Sequence, residues 1–356
     1  MDLEVINLEQ ADKWLEILEM CNQYDFWHCP SFHEISTQNR SYEANLIAYQ
    51  EGGYTIAIPL IIRPVSEIPG LESINNNDAA SVTSSYGHLG PVASHHNLPE
   101  RPVKNFQNKL REYFFDKNVV CIFSRLHPFI NQEPILEGFG DVRNIGKTIS
   151  ISLSLTLDEQ YSHYRENHKR DIRKLRQLGA HCTNDHLAEH LEDFVAIYNE
   201  NMKRVGAEEH YFHSQSYFQK LLDAKDLDMH LVLCFLEGDI ACGGLFSLCK
   251  GIVQYYLGAT NSKYLSLAPM KFLIDEVRIW ANEVGASYYH LGGGRVSLLK
   301  FKAGFSDTVH DLNVWQLIVL KKKYQEICRQ IALWNEQGSH EPIDSDYFPL
   351  YRCPTT

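Results

Sequence analysis

Tyr255 to Phe305, YYLGATNSKYLSLAPMKFLIDEVRIWANEVGASYYHLGGGRVSLLKFKAGF, is the stretch whose reading decides the fold. It reads as strand, loop, helix, strand, glycine turn and a short basic-aromatic motif. Pro269 sits where a first helical turn tolerates a missing N–H. Met270, Leu273, Ile274, Val277, Trp280, Ala281 and Val284 then follow at helical spacing down to Gly285, which stops the helix. Ala286 to Leu291 is short and aromatic, as a strand is, and runs into Gly292-Gly293-Gly294, a backbone without Cβ atoms that a ligand can approach closely.

Working outward, three strands precede this stretch or open it, HLVLCFL, IACGGLFSL and IVQYYLGA, joined by tight turns at Glu237-Gly238-Asp239 and Lys250-Gly251. Before them come a strand from Lys147, a helix from Asp158 through EQYSHYRENHKRDIRKLRQLG to Gly179, a helix over about 187–204 and a short one over 214–224. After the stretch, HDLNVWQLIVL reads as a strand, 321–334 as a helix and the last twenty residues as an extended tail. The first part of the chain gives a strand at 3–8, a helical stripe of Ala11, Trp14, Leu15 and Leu18, and a hairpin turning at Gly52-Gly53. A polar, turn-rich surface loop over 71–92 follows, then a helix over 98–117 and a strand through VVCIFSRLHPF. Two halves result, 1–146 and 147–338, with a tail at 339–356.

YYLGAT, HLGGG and FKAGF in this order, with a helix between the first two, resemble the FemAB-like (peptidoglycan-bridge aminoacyltransferase) branch of the GNAT acyltransferase superfamily. YGHLGP at Tyr86–Pro91 and MKRVGAEEHYF at Met202–Phe212 fit the same family, so the likeness covers most of the chain. It implies an α+β fold of two tandem GNAT-like halves, each a mainly antiparallel central sheet flanked by helices. The order of helices, antiparallel meander, then helix and strand agrees with that plan. No repeat between the halves is visible at the level of residues.

Lys302, between Phe301 and Phe305, is the candidate catalytic residue. A lysine in an apolar, aromatic setting keeps its stem buried and its charge poorly solvated, so the charge needs an anion or a developing oxyanion. The family places a lysine here; the bland alternative is an ion pair with a carboxylate such as Asp307. Phe301, Gly292, Gly293 and Gly294 count with it as substrate-contacting positions, as does Tyr86 through the YGHLGP motif. Lys169, Arg170 and Arg173 lie on a basic helix suited to phosphates, the bland reading being a solvated face paired through Glu166 and Asp171. The resemblance also implies that Arg204, Tyr211 and Phe212 border the acceptor pocket, whereas a helix dipole alone explains a terminal arginine. Asp275, Glu276 and His290 are open as general bases. HLAEH at His186–His190 matches a zinc-peptidase pattern without a third ligand and is read as chance, so no metal is expected.

Composition narrows the function further. A net charge of -12 excludes a generally nucleic-acid-coating surface, and nine cysteines without a C-x-x-C pair fit reduced thiols. Without a signal-like start or a long apolar run, a soluble cytoplasmic protein is expected. The GNAT pyrophosphate loop, Q/R-x-x-G-x-G/A, has no counterpart in LGATNSKYLSLAPM, which weakens acyl-CoA as donor and favours aminoacyl-tRNA, with no tightly bound cofactor. The expected activity is amide formation, moving an aminoacyl or acyl group from an activated ester to an amine: a cell-wall precursor, an amino sugar or a small natural product, with a phosphate-bearing acceptor among the alternatives. An acyl-CoA-dependent N-acyltransferase and a non-catalytic binding module are the alternatives. Oligomeric state leaves no mark in the sequence.

Overall fold

The computed structural model describes residues 2–38, 40–74, 79–83, 87–338 and 346–353, the last two of the 87–338 run by backbone alone. The chain forms two compact units, Met1–Ile145 with Leu312–Thr356, and Gly146–Asp311.

The first unit begins with β1 (Glu4–Asn7), α1 (Ala11–Glu19), α2 (Pro30–Thr37), β2 (Glu43–Glu51), β3 (Tyr54–Pro64), β4 (Ala80–Thr83), β5 (Val92–Ala93), α3 (Glu100–Asp116), β6 (Val119–Arg125) and α4 (Glu133–Leu136). β2 and β3 pair along their whole lengths across the Gly52-Gly53 turn, as the alternation of the hairpin requires. The sequence 71–92 is not simply a surface loop. Ala80–Thr83 forms a buried strand, antiparallel to β3 and parallel to β6, and small residues there carry too little apolar periodicity to announce it. Val103, Phe106, Leu110 and Phe114 of α3 bury one face against β2, β3 and β6. Each such side chain contributes about 1.5–3 kcal/mol by leaving water.

β7 (Asp141–Ser152) leads into the second unit, followed by α5 (Leu157–Ser162), α6 (Glu166–Gln177), β8 (His181–Asn184), α7 (Leu191–Arg204), α8 (Gln215–Asp223), β9 (Met229–Leu236), β10 (Asp239–Cys249), β11 (Ile252–Thr260), α9 (Met270–Glu283), β12 (Tyr288–Gly292) and α10 (Val296–Lys302). The strands follow the order β7-β12-β11-β10-β9-β8, all antiparallel except β11 with β12. α6 and α9 cover one face, with Ile172, Leu175, Phe272, Leu273, Ile274 and Val277 in its core. A single helix from Asp158 does not form. It breaks at 163–165, where the Arg165 N–H donates to Gly304 O at 2.9 Å rather than within a helix.

β13 (Val309–Ile318) and α11 (Lys321–Gly338) complete the chain, and they correct the expected boundary at residue 338. β13 pairs antiparallel with β6 through Val314–Ile318, and Ile327 and Ile331 of α11 bury against Val120 and Cys121, so Leu312 onward belongs to the first unit. The tail is not merely extended either: Tyr351 is buried, its hydroxyl 3.0 Å from Cys121 Sγ.

A repeat invisible in the residues is plain in the topology. In each unit an antiparallel meander (β2-β3-β4; β9-β10-β11) passes through a helix (α3; α9) to a parallel neighbour (β6; β12), which an antiparallel strand then closes (β13; β7).

Candidate acyl-transfer site

The parallel pair in the second unit is where the site forms. β11 and β12 are in register only over Ile252–Gln254 and Tyr288–His290, while β11 continues to Thr260 on its other edge with β10. From Tyr255 on, β11 and the glycine end of β12 therefore diverge, leaving strand backbone unpaired between them.

Lys302, at the end of α10, touches both arms of this split. Its Nζ donates to Gly293 O at 2.7 Å and stands 5.7 Å from the centroid of the Tyr255 ring. The side chain is buried, and desolvation lowers its pKa to about 7. Asp307 is not its counter-ion; that carboxylate lies 3.3 Å from His163 Nδ1. No carboxylate among the described residues pairs with Lys302. An ammonium has three N–H donors, and Gly293 O takes one of them.

The glycines serve this approach. A Cβ on Gly293 would stand 2.7 Å from Lys147 O of β7, and one on Gly292 would stand 3.3 Å from Lys302 Nζ. The end of α10 is held by groups that sequence reasoning left on a helix face. Arg165 Nη1 donates to Lys300 O at 3.1 Å, a helix-terminal carbonyl, and His168 Nε2 donates to Phe301 O at 3.1 Å, which also accepts the Gly304 N–H at 3.0 Å. Burial, then the nearby Lys271 charge, lowers the His168 pKa to about 4, so the ring is neutral and donates through Nε2–H. Gly304 is required here, since its Cβ would come within 2.3 Å of His168 Nε2. That glycine was the available signal for His168.

Phe301 faces the core rather than the split, packing at 5.6 Å on His168 and 5.5 Å on Phe305. Of the basic helix, Lys169 folds back on Ser162 O and Glu166, Arg170 pairs with Asp171 at 2.9 Å, and Arg173 and Lys174 are exposed without an ion pair among the described residues. Arg204 is exposed at the end of α7 and bonds Asn201. Tyr211 accepts the Tyr198 hydroxyl at its carbonyl, 3.0 Å away, and Phe212 is 37% exposed. Tyr86 lies outside the described residues. In the same motif Gly87 (φ 125°) has no room for a Cβ, which would overlap the Trp27 ring at 2.1 Å.

As bases, Asp275 and Glu276 are committed elsewhere. Asp275 is buried between Arg278 at 2.9 Å and Arg176 at 3.3 Å, and Glu276 lies 2.7 Å from Arg176. His290 is buried with Nδ1 2.6 Å from Gln254 Oε1. HLAEH forms a turn ahead of α7, not a helix start, capped by Asp185, so its histidines do not share a helical face. At the start of α9, Pro269 has no N–H, and the N–H groups of Lys271 and Phe272 donate back to Ala268 O and Pro269 O at 3.0 Å each.

A sheet with a splayed parallel pair and a helix between its strands defines a GNAT-type acyltransferase fold, and residues 162–302 match the family model described as acetyltransferase (GNAT) domain. No curated protein sequence matches the chain. Among solved structures, FemX is 14% identical with a TM-score of 0.71, covering 92% of this chain and 100% of FemX. L-PGS from Bacillus licheniformis is 13% identical with a TM-score of 0.53, covering 85% of this chain and 90% of its own. A C-terminal domain from Agrobacterium fabrum, attributed to lysylphosphatidylglycerol synthetase, is 10% identical with a TM-score of 0.54, covering 86% and 90%. The chain thus has the tandem GNAT-like fold in its FemAB-like form.

Proposed function

We propose that the protein is an amide-forming acyltransferase that moves an aminoacyl or acyl group from an activated ester to an amine. The observation that carries this reading is Lys302: a buried cation without a counter-ion among the described residues, held across the two arms of the split by Gly293 O and the Tyr255 ring. The acceptor amine attacks the acyl carbonyl with its lone pair, the ester oxygen departs, and the amine's surplus proton leaves with it or passes to solvent. Lys302 offers its remaining N–H donors to the tetrahedral oxyanion in a site where water screens little. No covalent enzyme intermediate is needed. FemX and the lysylphosphatidylglycerol synthetase domain support acyl transfer on this fold, and the inward-turned N–H groups of α9 support aminoacyl-tRNA over acyl-CoA as donor. The α6 cations Arg173 and Lys174, with Arg170, are assigned to phosphates of a substrate.

Incubation with charged tRNAs, acyl-CoAs and a panel of amines, read by mass spectrometry, tests donor and acceptor together. Product from acyl-CoA alone would replace the aminoacyl-tRNA reading, and no product from any pair would leave a binding module. With an active pair, Lys302→Met lowers kcat about a hundredfold or more with little change in KM. Because the protonated lysine acts, kcat in the parent falls as pH rises through about 7, and Lys302→Met lacks that limb. A limb rising through the same pH in the parent and missing from the variant would instead make Lys302 a base.

A further inference from the structure

The first unit holds a cleft of about 510 Å³ outside the proposed acyl-transfer site, with Arg40, Tyr42, Arg63, Trp334, Asn335 and Arg352 in its lining. We propose that this cleft binds a nucleoside monophosphate, its phosphate on Arg40 and Arg63 and its base edge on Asn335.

Three independent features meet in it. The first is charge. The lining carries three guanidiniums against one carboxylate, in a chain of net charge -12. Glu67 is shared, 2.9 Å from Arg63 and 2.9 Å from Arg352, and the remaining donors of Arg352 go to Ser81 Oγ and Pro64 O. Arg40 has no ion pair among the described residues, and its guanidinium and that of Arg63 lie 5.4 Å and 4.8 Å from the centroid of one ring, Tyr42. Two like charges gathered on one ring, with one carboxylate already divided, call for a further anion, and guanidinium forks fit phosphate oxygens.

The second feature is an unsatisfied amide. Asn335, near the end of α11, is 6% exposed, and among the described residues neither its Nδ2 nor its Oδ1 has a hydrogen-bond partner. Leaving buried polar atoms unmade costs about 1–3 kcal/mol each, so a group that supplies both an acceptor and a donor is missing. A nucleobase edge presents that pair side by side. The third is aromatic surface. Tyr42, Trp334 and Tyr347 all line the cleft, and the Trp334 ring is pressed so closely on Gly70 that a Cβ there would come within 2.5 Å of its Cγ. An indole held in place this way is a platform for a planar ring. Anion alone does not use the amide, and an aromatic ring alone does not use the arginines; a nucleoside phosphate uses all three. The volume lies within the range of small-ligand pockets.

Calorimetric titration of the full chain with each of the four common ribonucleoside monophosphates, the matching nucleosides and inorganic phosphate tests this. At least one monophosphate is expected to bind one per chain. Arg40→Gln weakens the nucleotide about tenfold or more but leaves the nucleoside unchanged, and Asn335→Leu weakens both about tenfold or more. Arg40 is exposed, so its variant folds even if Asn335→Leu does not. Absence of binding at millimolar nucleotide would overturn the proposal, as would binding that neither variant weakens. Inorganic phosphate binding as tightly as every nucleotide would reduce the cleft to an anion site and overturn the assignment of Asn335.

Discussion

At the scale of one residue, Lys302 is held in a state that costs the fold energy. An unfolded chain keeps this lysine protonated up to its ordinary 10.5, whereas burial lowers the folded value to about 7. Below about pH 7 both states carry the proton, and the full cost of the buried charge is present. Between about 7 and 10.5 the unfolded state binds more protons, so stability rises with pH across that window. Lys302→Met, of similar length, is therefore expected to be more stable than the parent at pH 6, by on the order of 5 kcal/mol at most, with the gain vanishing towards pH 10.5. Urea melts of both proteins at several pH values measure it. A variant less stable than its parent at pH 6 would show a lysine kept for structure. A substitution that stabilises the fold and also cuts turnover is the signature of a group retained for chemistry.

At the scale of elements, what governs legibility is whether an element's cause is local. The hairpin at Gly52-Gly53, the meander turned at Gly238 and Gly251, and the helix from Met270 were all readable, because turn residues and apolar spacing lie in the segment itself. The burial of Lys302 was readable for the same reason, its aromatic flanks being sequence neighbours. The break between α5 and α6 was not, since it is made by Gly304 O, far along the chain. Nor was β4, a strand of small residues whose burial comes from β3 and β6. α6 shows both sides: its basic character was evident, but the division of its cations was not. Lys169 and Arg170 have acidic neighbours, leaving Arg173 and Lys174 as the exposed charges. Reversing these two to glutamate should weaken charged-tRNA binding and flatten its dependence on log salt by about one per lost phosphate contact, with no change in the urea midpoint. Arg170→Glu should do less, because it first loses Asp171. An unaltered salt slope in the double variant would return α6 to a solvated helix face.

At the scale of the molecule, the first unit is built from both ends of the chain, with the second unit inserted between them. Such a unit cannot close until residues separated by most of the sequence have met, and the loop entropy of that meeting must be offset by contacts the C-terminal segment brings. Those contacts are specific. Trp315 of β13 is fully buried and its Nε1–H donates to Phe139 O at 2.6 Å. Tyr351 is buried among Val65, Leu71, Ala79, Val120, Cys121, Ile327 and Ile331, and Arg352 beside it reaches Ser81 and Glu67. Tyr351 is thus part of the first unit's core, and Tyr351 and Arg352 line its arginine-lined cleft. Tyr351→Ala should lower the stability of this unit by about 3 kcal/mol, the usual cost of emptying a large aromatic site, while Tyr351→Phe, which loses the hydroxyl's contacts with Cys121 and Ser81 and keeps the ring, should cost about 1 kcal/mol. Tryptophan fluorescence suits the measurement, because Trp14, Trp27, Trp315 and Trp334 lie in this unit and only Trp280 in the other. In urea the fluorescence midpoint should shift strongly for Tyr351→Ala and slightly for Tyr351→Phe. Equal midpoints for Tyr351→Ala and the parent would mean that the C-terminal segment rests on the first unit without holding it together.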